Sequence, residues 1–424
     1  MTDATTATEG ETHRRPRWKA RVRVVAIAAT VIVVVAAAVL VRGETESTPQ
    51  LTATRVLPSS VSLPGTAPAW TWPAQGEAAA EVSGMGSIGM HGPNTPVPIA
   101  SLAKMMTAYV VLRDHPVAPG QPGFNVKVNA TEAADYQARQ AEAQSVLVVT
   151  DGEVLNEPQL LEGLLVASGN NVASILADYD SGSESAFVAK MNSTARALGM
   201  RNTTYTDPSG LNTTTVSTAA DQLLLLEHAM ADPVFAGTVD MRSVTLPVAG
   251  TVANFNTAVG TDGYIGVKTG SDSQAGGCLA FANRQSVDGR TVTVEGVVLG
   301  QDVGQVLTST LIPAAISSAT ALVHSVISAM SIRTVLKAGT AVEVITNSEG
   351  RRVTVITDSK LVQFGWAGTH VPLRFSSSPV GTGLRKGQNL GMVTVGTGQP
   401  VSSAVSARAT MPRLSWSWRM HHIF

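Results

Sequence analysis

The feature that most constrains this chain is an uninterrupted apolar run of 18 residues, 24–41 (VVAIAATVIVVVAAAVLV), close to the N-terminus. A helix needs roughly 20 residues at about 1.5 Å each to cross a bilayer core, so this run with its flanks suffices. Arg14, Arg15, Arg17, Lys19, Arg21 and Arg23 precede it, and Arg42, Glu44 and Glu46 follow. Cations concentrated on one side place the N-terminus in the cytoplasm and everything after residue 42 outside. A cleaved secretory signal has a shorter apolar core, about 7–15 residues, and an A-x-A-like exit, which Val39-Leu40-Val41-Arg42 is not. Six basic residues on one flank argue equally against a buried core helix. The expectation is a basic cytoplasmic tail (1–23), a transmembrane signal-anchor (24–41) and an extracytoplasmic remainder: a single-pass protein of the cell membrane.

Residues 42–74 are rich in Pro, Ser and Thr without an amphipathic period, and predict an extended tether. From residue 75 the pattern turns globular. Residues 76–90 predict two short strands around Gly84, and a helix begins near Ser101 after Pro96 and Pro98. Residues 157–168 carry apolar residues at 160, 161, 164 and 165 with Pro158 in the first turn, a helical spacing. Helices are also expected at 171–178, 185–198 and 217–231, strands across 264–300, and a long apolar helix at 303–328. Strands at both ends of a helical middle make residues 75–330 an α+β domain. Residues 331–407 break into short β-prone pieces punctuated by Gly, Ser and Asn, which predicts a small β-rich module. An aromatic and basic tail, 408–424, ends the chain; a frayed terminus is expected there, with contact to a membrane surface as the alternative.

Composition excludes several classes. The formal net charge of −1 speaks against a nucleic-acid partner, which demands a basic excess. A single cysteine, Cys278, permits neither an intramolecular disulfide nor a cysteine metal cluster, and the eight histidines show no HExxH spacing. No metal or cofactor is called for. Cys278 is expected to be a buried packing residue, and His91, His115 and His228 ordinary loop or surface residues.

The chemistry lies in three short motifs: Ser101-Leu102-Ala103-Lys104, Ser168-Gly169-Asn170 and Lys268-Thr269-Gly270. A serine hydroxyl must lose its proton to a neighbouring base before it attacks. No histidine stands near Ser101, whereas Lys104 lies one helical turn away on the same face. A free lysine titrates near 10.4 and is useless as a base; burial and a second ammonium, here Lys268, favour the neutral amine. Ser168 offers a proton relay between Lys268 and a leaving amine, and Asn170 a donor and an acceptor for a substrate backbone. Lys268 and Thr269 supply charge and a hydroxyl for a substrate carboxylate. Gly270 lacks a Cβ, so an extended peptide can lie against its strand. The backbone N–H groups of Ser101 and Ser271 would complete an oxyanion hole. With eight lysines among 424 residues, S-x-x-K arises by chance about 0.7 times, but K-T-G only about 0.06 times. Two of the eight lysines fall in the first and third motifs, in the right order.

This ordered set is the signature of penicillin-recognising serine enzymes. The chain resembles, more narrowly, the low-molecular-weight penicillin-binding proteins of the D-alanyl-D-alanine carboxypeptidase family. The resemblance is carried by PIASLAKMMTAYVVL (98–112), QLLEGLLVASGNNVASILA (159–177), FVAKMNSTARALGMRNTTYTDPSGLN (187–212), STAADQLLLLEHA (217–229) and GYIGVKTGSDSQAGGCLAFA (263–282). It implies a two-lobed catalytic domain, an all-α lobe against an antiparallel sheet flanked by helices, often followed by a small β domain. It also implies removal of the terminal D-alanine from peptidoglycan pentapeptide stems, with β-lactams as inhibitors. Carried over, Ser101 is the acylated nucleophile, Lys104 its base, Ser168 and Asn170 the relay and clamp, and Lys268 and Thr269 the carboxylate site.

Two departures stand out. Many members carry an Arg in an N-R-N segment where this chain reads Asn254-Phe255-Asn256, and Ser271 and Asp272 follow K-T-G in place of the usual residues. Asp272 would set a negative charge beside the carboxylate site. Three rival readings remain. A β-lactamase needs a deacylating glutamate, and the stretch Asp207–Asn212 holds none. A non-catalytic wall-binding or sensor ectodomain has no need of a nucleophile–base pair. A DD-endopeptidase uses the same chemistry.

Overall fold

The computed structural model describes residues 17–45, 51–304, 308–378, 380–381, 383–396, 400–415 and 417–418. Arg14 and Arg15 and the end of the tail lie outside the described residues. The chain forms two compact units, one of residues 63–333 with 364–369, the other of residues 1–62, 334–363 and 370–424.

The N-terminal helix α1 (Arg17–Thr45) is followed by two short strands, β1 (Thr52–Arg55) and β2 (Ser60–Ser62). Here the structure departs from expectation. Residues 42–74 are not a free tether along their length, because β1 pairs with a strand at 341–346 and β2 with one at 370–377. Leu63 is 1% exposed, and Trp70 packs edge-on against Trp366. Thr-rich and Ser-rich extended chain satisfies its backbone at the borders of a sheet that residues far away in sequence provide.

In the larger unit, β3 (Glu77–Val82) and β4 (Gly86–His91) form the hairpin around Gly84. A 3-10 turn, Ala100–Leu102, leads into α2 (Ala103–Asp114). Helices α3 (Ala130–Ala141), α4 (Glu157–Leu165), α5 (Asn170–Ser181), α6 (Glu184–Ala197), α7 (Ala219–Met230) and α8 (Pro233–Val239) follow. The starts of α3 and α4 are closed by reciprocal capping boxes, Asn129 with Glu132 and Asn156 with Gln159, and α5 ends on Gly182 in the left-handed conformation. Helix α2 is apolar on nearly every side and nearly every residue of it is buried, as suits the central helix of an all-α lobe.

Strands β5 (Tyr264–Asp272), β6 (Gly276–Val287) and β7 (Arg290–Gln301) complete a five-stranded antiparallel sheet in the order β5-β6-β7-β3-β4. Strands β3 and β7 and the first half of β6 carry continuous buried stretches because both faces are covered there. Ala79, Ala280 and Val297 face the helical lobe, while Ala78, Leu279 and Val298 face α9 (Leu311–Ala329). Helix α9 buries one stripe, Leu311, Ala315, Ala319, Leu322, Val323 and Val326. It starts eight residues later than expected, since β7 extends through Gln301 and Pro313 sits in the first turn.

In the second unit, β8 (Ala341–Thr346), β9 (Arg352–Thr357), β10 (His370–Ser377), β11 (Asn389–Val395) and β12 (Val401–Ala407) join the two early strands. The sheet has seven strands in the order β1-β8-β9-β12-β11-β10-β2.

Candidate active site

Three pieces of chain meet at Ser101. Ala100 has a left-handed φ of +46°, which sets the tight turn carrying Ser101 one turn before Lys104. Nζ of Lys104 lies 2.8 Å from Ser101 Oγ, 2.7 Å from Asn170 Oδ1 and 3.0 Å from the Ser209 carbonyl oxygen. Lys104 is fully buried, and that burial, reinforced by the Lys268 ammonium, pushes its pKa well below the usual lysine value. The contact set then orients the reactants. A neutral amine has two hydrogens, and two of its three neighbours are carbonyl oxygens that can only accept. Both hydrogens go to those oxygens, and the lone pair faces the Ser101 hydroxyl.

Asn170 opens α5, and its Nδ2 donates to Gln144 Oε1 at 3.0 Å, which holds the amide oxygen towards Lys104. Ser168, buried with a φ of +55°, sits at the junction of α4 and α5; its Oγ stands outside the hydrogen-bond chain through Ser101, Lys104, Asn170 and Gln144.

The third piece is β5, an edge strand that carries Lys268, Thr269 and Gly270. A Cβ built on Gly270 would lie 3.0 Å from both Ile99 O and Ser101 N, so the strand can approach the nucleophile's backbone this closely only with glycine there. Lys268 is 1% exposed, donates to the Thr269 carbonyl at 3.0 Å, and burial lowers its pKa to about 7. Asp272 does not stand free beside Ser271. Its Oδ1 accepts from Gln274 N and Ala275 N, both at 2.7 Å, and caps the turn into β6. Asn254 and Asn256 likewise hold their own loop, through Met241 O, Asn256 N and Ala258 N, with Phe255 exposed between them.

Sequence reasoning gave no role to the loop Asp207–Leu211, which closes the site from below. Asp207 accepts hydrogen bonds from Ser209 N, Ser209 Oγ, Leu211 N and Thr215 Oγ1, and Thr107 Oγ1 donates to Pro208 O. The result is a rigid turn that presents the Ser209 carbonyl to Lys104. Gly210 has φ +79°, and a Cβ there would fall 1.8 Å from Ala100 O. The signal was visible as D-P-S-G, a dense cluster of turn-forming residues.

Cys278 is fully buried with its thiol pushed up to about 12, the state of a packing residue. His91 and His228 are exposed, whereas His115 is half-buried beside Asp180 and against Phe124 and Tyr179.

An all-α lobe facing a five-stranded antiparallel sheet, with a serine and a buried lysine at the seam, defines an active-site-serine enzyme of the penicillin-recognising class. A sequence model of the family described as D-alanyl-D-alanine carboxypeptidase matches residues 88–303. A Streptomyces D-alanyl-D-alanine carboxypeptidase is 34% identical over 242 residues, covering 53% of this chain and 77% of that protein. One from Mycobacterium tuberculosis is 34% identical over 192 residues, covering 45% and 62%. Among solved structures, a mutant of a Streptomyces DD-transpeptidase shares 28% identity at a TM-score of 0.51, over 61% of this chain and 98% of that one. Penicillin-binding protein 5 of Haemophilus influenzae shares the fold at 21% identity and a TM-score of 0.54, over 82% and 100%. The chain belongs to the D-alanyl-D-alanine carboxypeptidase family of serine hydrolases.

Proposed function

We propose that the protein removes the terminal D-alanine from peptidoglycan pentapeptide stems through an acyl-enzyme on Ser101. The observation that carries this reading is the buried Lys104 Nζ, 2.8 Å from Ser101 Oγ and hydrogen-bonded to the carbonyl oxygens of Asn170 and Ser209. Lys104 takes the hydroxyl proton as Oγ attacks the penultimate carbonyl. The tetrahedral oxyanion is held by the N–H groups of Ser101 and Ser271. A proton is delivered to the departing amine, with Ser168 as the relay between Lys268 and that amine, the C–N bond breaks, and D-alanine leaves. Water then releases the shortened stem from Ser101. Lys268 and Thr269 hold the terminal carboxylate, with Asn170 on the substrate backbone. β-Lactams enter the same site and stay on Ser101, because the loop Asp207–Asn212 offers no glutamate to drive water at the acyl group.

Residues 24–41 anchor this enzyme in the bilayer with its catalytic unit outside the cytoplasm. In support, the apolar side chains from Val22 to Ala38 are all exposed, an arrangement water does not favour. Helix α9 also has the length and apolar character to cross a membrane, but its buried stripe packs on the sheet.

The test is mass spectrometry of the full chain mixed with a pentapeptide stem and with penicillin. D-alanine release and a penicillin adduct on Ser101, both lost in Ser101→Ala, are expected. A wild-type chain that neither releases D-alanine nor takes the adduct refutes the reading. Cleavage of cross-linked stems in place of D-alanine release would make it an endopeptidase.

A further inference from the structure

The near-zero net charge of this chain hides a strong internal division. Residues 63–333 hold 12 Lys and Arg against 23 Asp and Glu, a net charge of −11; residues 334–424 hold ten against three, a net charge of +7. The cations of the second group are not spread evenly. Arg408 N donates to Thr354 O, which sets Arg408 beside the start of β9 and hence near Arg352. On the other side of residues 407–411, Gly387 N donates to Ala407 O, Lys386 N to Thr410 Oγ1, and Leu384 pairs with Met411. Arg413 packs on Gly383. Arg351, Arg352, Arg385, Lys386, Arg408 and Arg413 thus share one end of the sheet within a few strand spacings of about 4.8 Å, and all six are exposed. Of these six, only Arg351 has a carboxylate partner among the described residues, Glu349 at 3.1 Å.

The register tells which end this is. Thr52, the first residue of β1, pairs with Thr346, and Thr346 pairs with Arg352. The basic rim is therefore the end at which the chain arrives from α1. From Thr45 to Thr52 are seven residue steps, a span of at most about 25 Å fully extended. Ser415 N and Oγ donate to Glu349 Oε1, which ties the start of the aromatic tail to the same rim.

We propose that this rim docks on the anionic phospholipid headgroups of the leaflet from which α1 emerges, holding that end of the second unit against the bilayer. The proposal rests on α1 spanning the membrane. Five guanidiniums and an ammonium on one short edge match a surface of lipid phosphates. Each such cation near an anionic surface changes binding roughly fivefold. Six of them, tethered within about 25 Å of the surface, meet the headgroups at high effective concentration.

The test uses the full chain in nanodiscs of phosphatidylcholine alone or of an equimolar mixture with phosphatidylglycerol. Amide hydrogen exchange in 384–388 and 407–411 is expected to slow at least about fivefold on the anionic discs. The difference should vanish in about 1 M salt, where the screening length is about 3 Å, and in the double variant Arg352→Glu, Arg408→Glu, which still takes the penicillin label. Equal exchange on both discs overturns the proposal. So does equal protection on neutral discs by added poly(glycerol phosphate), which would assign the rim to an anionic wall polymer. Flotation with neutral vesicles reads the anchor separately. Should the chain fail to float there, the anchor reading falls, and salt-sensitive flotation on anionic vesicles decides the rim alone.

Discussion

At the scale of single residues, the proposed mechanism puts two lysines to opposite uses. Lys104 has to be neutral to take a proton, and Lys268 has to be charged to hold a carboxylate. Burial depresses both, and Lys104 also feels the Lys268 ammonium. As pH rises, Lys268 loses its proton near 7. The second-order rate of penicillin labelling, which reports the free enzyme, should fall as pH rises through about 7, where Lys268 loses its proton. In saturating substrate the falling limb should move upward, because a bound carboxylate stabilises the Lys268 ammonium. A profile flat from pH 6 to 9 refutes this division of labour. An unfolded Lys268 binds its proton more tightly than the folded one, so its burial costs stability below about 7 and the cost fades as pH rises towards the unfolded value. Lys268→Met, of similar volume, should abolish labelling yet melt about 2–4 °C higher at pH 7, read by differential scanning fluorimetry. Gly270→Ala tests the third piece. Its Cβ meets Ser101 N and Ile99 O at 3.0 Å without a φ penalty, so the fold should persist while the labelling rate falls at least about tenfold.

At the scale of elements, the sheet and the helical lobe meet over an unexpected group of acids. Glu81 on β3 neighbours Glu295 on β7 by strand register, and α7 brings Glu227 into hydrogen bond with Glu81. Burial first, then the shared proton with Glu227 and the charges of Glu227 and Glu295, raise Glu81 to about 7. Since the unfolded Glu81 ionises near 4.5 and the folded one near 7, the folded state binds the extra proton between those values. Stability from this group is present below about 4.5, lost as pH rises to 7, and flat above. Glu227→Gln keeps a hydrogen-bond partner and removes a charge. It should leave melting at pH 4.5 unchanged and raise it by about 2–4 °C at pH 8; parallel melting curves for variant and wild type across that range would show the three carboxylates are not coupled.

At the scale of the whole molecule, the chain before the catalytic unit is structural. Strands β1 and β2 border the seven-stranded sheet, and Leu63 N donates to Thr369 O at 2.8 Å. A fragment beginning at residue 75 would leave the outer edges of β8 and β10 unpaired. It should melt at least about 4 °C below one beginning at residue 51 and scatter light on storage; identical melting would mean the two early strands add nothing. The charge division between residues 63–333 and 334–424 belongs to this scale too. A sum over all 424 residues cannot reveal it, because opposite excesses cancel.

Much was already legible in the residues themselves. Helix spacing puts Lys104 one turn from Ser101, an 18-residue apolar run has few places to reside, and apolar periodicity marks α4, α7 and α9, because these are local properties of consecutive residues. What only the tertiary structure decided depends on distant pieces meeting. The Ser209 carbonyl and Asn170 aim the lone pair of Lys104 only because a loop 105 residues on folds beneath α2. Asp272 turns to its own backbone, and residues 52–62 become sheet, because partners at 274–275 and at 341–377 are there to receive their polar groups. A sequence announces which groups need a partner; the packed chain chooses which one they find.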